Sequence, residues 1–572
     1  MLDGTLQPER PKQSGITLGS RLYNRVGNLV SQKFVFSALY QQIAELCYPS
    51  KANILLMRYP GQMSDSKIFD GTALQSASRL ASAIQEAVMN DSSQDFDLVT
   101  SDENLMAKES VRRWLDDTGK RMFSAMTESN MALQNYEATK DIVCFGSALQ
   151  TIQENEENAS VGFGGLIFQS YNVNEYVWAC DSFGRVNEVY RQQKMNAQDM
   201  ADRFGKDGLP RNVLEALERD PIDRMFRVIH AVVPKSDGDY FGTNQNMPYE
   251  SIYFCVDSPE REVIYRSGFK DFPFLSPRWS KVNDEDYGRS PAMDGLPDIR
   301  TLNNIVELEL RSLIKSVNPF FVTDDDGAIG SQFTIMPGGV LTVRPGARFE
   351  EVVRHQNFQP VNLKKVELQD MIRKWFFIDQ LMLPPPQGSP MTKAELDRRV
   401  EQMYSLMGPQ MGRLLAEWKR PQIQMIFKIM ANARAFLPPP AELVNAYNEK
   451  KKAPIAIAFK GALARSQKMQ DVVATTRWMN EVVGPSAQIF PDIIDNVDSD
   501  AMARLSAERF GVPYEIMRNP EDLRAMRQQK AKAMSDAQRN QMVNDKLQAL
   551  GSAAPVIKSL QDAGMENQLA VS

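Results

Sequence analysis

Histidine is nearly missing from this chain, with two in 572 residues, His230 and His355, far apart in sequence. Zinc and di-iron centres draw heavily on imidazole, so a histidine-built metal site is excluded. Cysteine is almost as sparse. Cys47, Cys144, Cys180 and Cys255 are widely spaced, three of them in apolar or aromatic surroundings. They read as buried free thiols, not as disulfides or a metal cluster. No run of about 18 apolar residues occurs, so no membrane-spanning helix is expected. The opening MLDGTLQPERPKQSG lacks the charged-then-apolar layout of a secretion signal, and folding in the cytoplasm is the expectation. An excess of either charge is also lacking: 66 Lys and Arg stand against 72 Asp and Glu, a formal charge of −6. A general nucleic-acid binder would show a basic surplus. A duplex conduit needs none, because a wall that neutralised many phosphates would hold the DNA in place.

Catalytic signatures are lacking too. A P-loop needs glycine five residues before the glycine of its Gly-Lys pair, and Thr118, Gly119 and Lys120 have Trp114 there. The GFGG at 162–165 lacks the third glycine of a dinucleotide fingerprint and reads as a bend or the start of a strand. Neither HExxH nor GxSxG is present. No cofactor and no catalytic residue is expected.

What the chain does have is a 43% hydrophobic composition, enough for substantial cores in about three to five domains. The most telling stretch is 287–435. Ile299, Leu302, Val306, Leu310, Leu313 and Val317 fall at spacings of three and four, one apolar stripe of a helix over 297–317, with Arg300, Asn304, Glu307, Arg311 and Lys315 on another face. Turn-rich sequence with short β-type runs at 333–335 and 340–343 follows, predicting a compact tip, and a second helix over 363–382 returns the chain. Leu383, Pro384, Pro385, Pro386, Gln387, Gly388, Ser389 and Pro390 cannot be helical. Thr392 and Glu395 then form a capping box. Leu396, Val400, Met403, Met407, Met411, Leu414 and Trp418 mark a long packed helix, kinked at Gly408 and Pro409 and bending again near Pro421. Elsewhere, residues 1 to about 30 read as a polar arm, and 31 to about 150 as mainly helical. A β-rich part over about 165–256 includes a hairpin at DSFGRV, and a further strand is expected at 454–459.

This order of elements resembles the portal proteins, or head-to-tail connectors, of short-tailed bacteriophages. The residues carrying the resemblance are YGRSPAMDGLPDIRTLNN (287–304) and PMTKAELDRRVEQMYSLMGPQMGRLLAEWKRP (390–421). They are joined by FSALYQQIAELCYPS (36–50), IFDGTALQSASRLASAI (68–84), YEATKDIVCFGSALQTIQE (136–154) and FGVPYEIMRNPEDLRAMRQQKA (510–531). The matches are short but ordered, from about residue 30 to about 535.

The resemblance implies an α+β, mainly α, portal fold. Residues 1–296 would form an N-terminal arm and wing, 297–318 a stem helix, 319–362 a clip and 363–382 a second stem helix. A tunnel loop would follow at 383–391, then a long helix returning to the wing (392–518), and a crown helix and tail (519–572). It implies a homo-oligomeric ring, dodecameric in the family, at one capsid vertex of the virion and assembled in the host cytoplasm. Double-stranded DNA would pass through without sequence specificity, driven by a separate terminase. Tail adaptor, capsid and scaffolding proteins would be partners, with no membrane involved. Lys364, Lys365, Arg373 and Lys374 are then the candidates for phosphate contact along a bore, and read equally as a solvated face or as ion-pair partners between subunits. Trp375, Phe376 and Phe377 read as packing at an interface, since a duplex hides its base faces. Asp324, Asp325 and Asp326 read as a solvated turn, and in the family's terms as a clip surface docking motor or adaptor. A metal-dependent nuclease using the same aspartates is the alternative from another class, and a different capsid or tail component, such as an adaptor, is a third reading, against which the length of the chain argues.

Overall fold

The computed structural model describes residues 17–55, 68–89, 94–106, 108–155, 162–235, 247–317, 321–323, 349–351, 359–381, 407–450, 455–459, 475, 477–483, 498, 500, 502–504, 507 and 523–535. It divides into two compact units, Met1–Ser466 and Gln467–Ser572.

The first unit opens with a long helix, α1 (Leu18–Cys47), where the sequence suggested a polar arm as far as residue 30. Gly19 and Gly27 weaken the local helix signal, but Leu22 and Leu29 are buried against a sheet, and that packing decides. Thr17 caps the helix, its Oγ1 accepting from the Ser20 N–H at 3.3 Å. Gly19 is required: a β-carbon there would fall 1.8 Å from the carbonyl oxygen of Arg261. Helices α2 (Thr72–Val88), α3 (Glu109–Thr127) and α4 (Met131–Phe145) follow. The α2 stripe Ala73, Ala77, Leu80, Ala81 and Ile84 is buried as its spacing predicted. Before α3 lies a strand the sequence reading missed, β1 (Phe96–Thr100).

Strands β2 (Leu149–Glu154) and β3 (Leu166–Tyr171) then precede β4 (Tyr176–Cys180), β5 (Val186–Asn196), β6 (Met225–Pro234), β7 (Tyr249–Cys255) and β8 (Val263–Phe269). The last five form an antiparallel sheet in sequence order, and the expected hairpin joins β4 to β5. In its turn Asp181 Oδ1 accepts from the N–H groups of Phe183 and Arg185, with Gly184 at φ 74°. Side chains alternate across this sheet. Ile229, Ala231, Ile252 and Phe254 meet α1 on one face, while Phe226, Val228, Tyr253 and Cys255 meet α5 (Ala197–Phe204) and α6 (Arg211–Arg219) on the other. Strand β9 (Phe274–Leu275) joins β2 and β3 in a second sheet.

Next come α7 (Leu296–Val317), a short pairing of β10 (Phe321–Thr323) with β11 (Phe349–Glu351), and α8 (Gln359–Trp375). The expected second helix over 363–382 therefore starts earlier and stops sooner. It breaks at Phe377, whose φ is +56°, before a one-turn helix Ile378–Leu381. Phe376 and Ile378 are both buried, and the break lets both reach the core. The expected β runs at 333–335 and 340–343 lie outside the described residues. A helix then runs as α9 (Gly408–Leu414), a π turn (Leu415–Lys419) and α10 (Arg420–Asn432). Within the described residues Gly408 and Pro409 open this helix, a favoured place for proline, where the sequence suggested a kink. The bend near Pro421 takes the form of the π turn. After α11 (Ala441–Lys450) comes β12 (Ile455–Phe459), the strand expected at 454–459, antiparallel to β1.

In the second unit the described residues are largely helical, the longest run being 523–535, and Arg527 Nη2 donates to Asp500 Oδ1 at 2.7 Å.

Candidate functional site

The hairpin of α7 and α8 changes character along its length. At its base Ile299 and Leu302 on α7, and Leu368 and Ile372 on α8, are buried in the main core. Polar contacts clamp the same level. Asn303 Oδ1 accepts from the Phe69 N–H at 2.8 Å, Gln369 Nε2 donates to Asp70 Oδ2 at 2.9 Å, and the Trp375 indole N–H donates to Asp298 Oδ2 at 2.9 Å. The segment before α2 thus holds both helices.

Beyond this clamp the core ends while the apolar sequence does not. Leu302 is 1% exposed, but farther along the stripe Leu310 is 43% and Leu313 44% exposed, with Ile314 beside them at 66%; Leu308, 64% exposed, lies on the opposite side of the helix, and Leu363 on α8 is 69% exposed. The stripe read from the sequence is continuous, so above the base it presents an apolar surface that the described residues leave uncovered. From Leu310 to Ile314 this stretch is about 6 Å long at 1.5 Å per residue. Scattered exposed leucines need no explanation, but Leu310, Leu313 and Ile314 exposed together on one side of a helix fit a contact surface.

The structure places the four candidate cations on α8. Lys365 Nζ reaches across to Glu309 Oε2 on α7 at 2.9 Å, an ion pair within the hairpin. Lys364 pairs with Glu367 at 3.1 Å and Arg373 with Asp370 at 2.7 Å, both on the exposed side of the helix. Lys374 is exposed. Of the three aromatics, Phe376 belongs to the chain's own core, Phe377 lies against Trp279, and Trp375 is partly exposed. Leu383 to Pro390 and Asp324 to Asp326 lie outside the described residues.

Two groups that the sequence reading passed over are prominent. Lys33, 4% exposed, donates to the carbonyls of Val173 and, at 2.6 Å, Tyr176, and sits over the rings of Tyr176 at 4.5 Å and Tyr287 at 5.1 Å. Burial pushes its pKa down to about 7. Arg278, also buried, holds Glu417 of the π turn through Nε at 3.2 Å and Nη2 at 3.1 Å. Neither has a local sequence signal, since each is made by residues distant in the chain. Cys47, Cys144 and Cys255 are buried and Cys180 partly so, all four free, and burial drives the Cys47 thiol up to about 12. His230 stacks on Tyr253 at 4.0 Å, and burial lowers its pKa to about 3, which suits a packed neutral ring. Among the described residues no group of three or more His, Cys, Asp or Glu is placed to hold a metal, and no helix is long and apolar enough to cross a membrane.

Comparison with known proteins matches residues 20–517 to the family of bacteriophage head to tail connecting proteins. A probable portal protein of Bordetella phage BPP-1 is 25% identical over 553 residues, covering 95% of this chain and 96% of its own. The portal protein of Salmonella phage epsilon15 is 23% identical over 534 residues, with 91% and 92% covered. A chain in the neck of the native GTA particle superposes with a TM-score of 0.32 at 10% identity, over 70% of this chain and 84% of that one.

Proposed function

The chain belongs to the bacteriophage head to tail connecting proteins, and from that premise we propose that its copies close into a ring forming a DNA channel at one vertex of the virion. Its work as a head-to-tail connector is structural. The observation carrying the ring is the apolar stripe of α7 that outruns the chain's own core. Burying one such leucine or isoleucine against a neighbour contributes about 1.5–3 kcal/mol, and several per subunit, repeated around a ring, outweigh the freedom lost on assembly.

In this reading α7 and α8 are the stem and 319–362 the clip, with Asp324, Asp325 and Asp326 offering a docking surface to the terminase and then to tail adaptors. Leu383 to Pro390 form the tunnel loop, a stiff and uncharged segment that narrows the bore without trapping phosphate. Lys364, Arg373 and Lys374 meet DNA weakly, as sliding requires, while Lys365 is engaged with Glu309 and braces the wall. The chain performs no catalysis, and the packaging motor is a separate ATPase. Residues 523–535 begin the crown helix. Assembly takes place in the host cytoplasm with capsid and scaffolding proteins.

Native mass measurement on the full chain tests the ring. The expected species is a closed assembly of about twelve copies, and a monomer persisting at high concentration overturns the reading. A nuclease assay with magnesium or manganese covers the rival class: cleavage lost in Asp325→Ala would replace the structural role with an enzymatic one.

A further inference from the structure

The helix from Gly408 to Asn432 is α-helical at both ends, with one wider turn between, in which the Arg420 N–H donates to the Leu415 carbonyl five residues back. Pro421 follows at once. Proline has no N–H to give, and its ring would collide with the carbonyl four residues earlier, that of Glu417, in a regular helix. Inserting one extra residue into the preceding turn relieves that collision.

Three consecutive side chains of the insert are fastened to three different elements. Glu417 accepts from Arg278, the Trp418 indole donates to Gln150 Oε1 on β2 at 3.0 Å, and Lys419 Nζ lies 3.3 Å from Asp95, just before β1. One turn later Gln422 Nε2 donates to Asn135 Oδ1 at 3.0 Å. The C-terminal side of the insert is therefore fixed. Its polar surroundings are only half satisfied, because Asn135 Nδ2 and Gln422 Oε1 are buried without a hydrogen-bond partner, a state a small rearrangement would relieve.

The N-terminal side is built differently. Gly408 and Gly412 make α9 an intrinsically weak helix, and a β-carbon at either would meet nothing within 4 Å. If the extra residue moves one turn toward Gly408, each residue it passes turns by about 100° and advances about 1.5 Å. Each then takes the place held by the residue before it. Leu415 would occupy the buried site now filled by Leu414, an exchange of leucine for leucine that conserves volume. We propose that Leu415–Lys419 is a register switch, giving this helix two packed states that share one set of C-terminal anchors and differ in the placement of residues 412–415. The chain can thus present residues 412–415 in two positions without unfastening Glu417, Trp418 or Lys419. The switch stands independently of the ring.

Hydrogen exchange on the full-length protein tests it. Amides of 412–420 are expected to exchange about 100-fold faster than those of 423–430, through local openings that bypass global unfolding. Equal protection on the two sides overturns the switch. Leu415→Ala removes the residue that fills the second state, so exchange at 412–420 should slow about tenfold relative to 423–430. Unchanged or faster relative exchange there means that Leu415 only packs, and overturns it as well. Should that variant fail to fold, Pro421→Ala serves: with the N–H restored the turn should become as protected as α10, and no gain in protection overturns the proposal.

Discussion

The two halves of the α7–α8 hairpin are alike in sequence and opposite in circumstance. At the base Ile372 is fully buried, with Leu302 and Leu368 beside it, while Ile314 near the far end is mostly exposed on the same kind of amphipathic helix. The lower half completes the chain's own core. The upper half carries a stripe of the same kind that the described residues leave uncovered, so what holds the base together is intramolecular and, on the proposed reading, what the far end meets is another copy.

The strongest way to break this comparison is one substitution made twice. Ile372→Asp places an unpaired carboxylate in the core, which costs more than about 4 kcal/mol and should abolish folding as read by circular dichroism and solubility. Ile314→Asp should leave the melting of the subunit within about 0.5 kcal/mol of the parent and remove the ring from native mass spectra. If Ile314→Asp assembles normally, the exposed stripe is not the contact; if it unfolds, the two halves are not different.

A smaller effect separates the body from the hairpin by pH. Burial lowers the Lys33 pKa from 10.5 to about 7, so between these values the unfolded chain binds a proton that the folded chain does not. Stability then rises with pH across that window, by at most about 1.4 kcal/mol per pH unit, and the full penalty is present below pH 7. Lys33→Met should flatten the slope of denaturation free energy between pH 7 and 10 and raise stability at pH 7. An unaltered slope would mean that the two carbonyls and two rings compensate the buried ammonium. Among the described residues the hairpin's far end has no buried cation, and it should add nothing to this slope.

Smaller again is the pair at the boundary. Lys365 and Glu309 are each only partly exposed, and a double-mutant cycle with Lys365→Met and Glu309→Gln should give a coupling of about 1 kcal/mol in the isolated subunit. A coupling near zero would extend the solvated zone down to this level of the hairpin.

Much of this was legible beforehand, and the reason differs from element to element. The α7 helix and the β4–β5 hairpin carry their causes locally, in a stripe at spacings of three and four and in an Asp-Ser-Phe-Gly turn, so spacing alone found them. Strand β1 was missed because five residues with three inward positions look like part of a helical neighbourhood, and its partner β12 lies far along the chain. The amino-terminal half of α1 was read as an arm because its glycines weaken local propensity, while the sheet that holds it is formed by residues 176–269. Spacing also cannot tell Leu302 from Leu313: both belong to one stripe, and only the fold decides which meets the core. The contacts of Lys33 and of Arg278 with Glu417 have no pattern in sequence at all.

The least effect is expected from Lys364 and Arg373, and it bears on the outer surface of the same hairpin. Each is paired three residues away with a carboxylate on its own exposed helix face, a geometry worth a few tenths of a kcal/mol and screened by salt. Replacing both by glutamine should change subunit stability by less than about 0.5 kcal/mol and leave assembly intact. If these side chains face passing DNA, the double variant should instead lower the salt dependence of duplex binding by the assembled ring, by about 0.9 in the logarithmic slope for each phosphate contact removed. A slope that does not move would assign them to a merely solvated face. The test is informative because the two accounts give the same stability: exposed pairs on a helix are energetically near neutral whichever way the helix points, so only a ligand with regularly spaced charge can report the side of α8 that lines an opening.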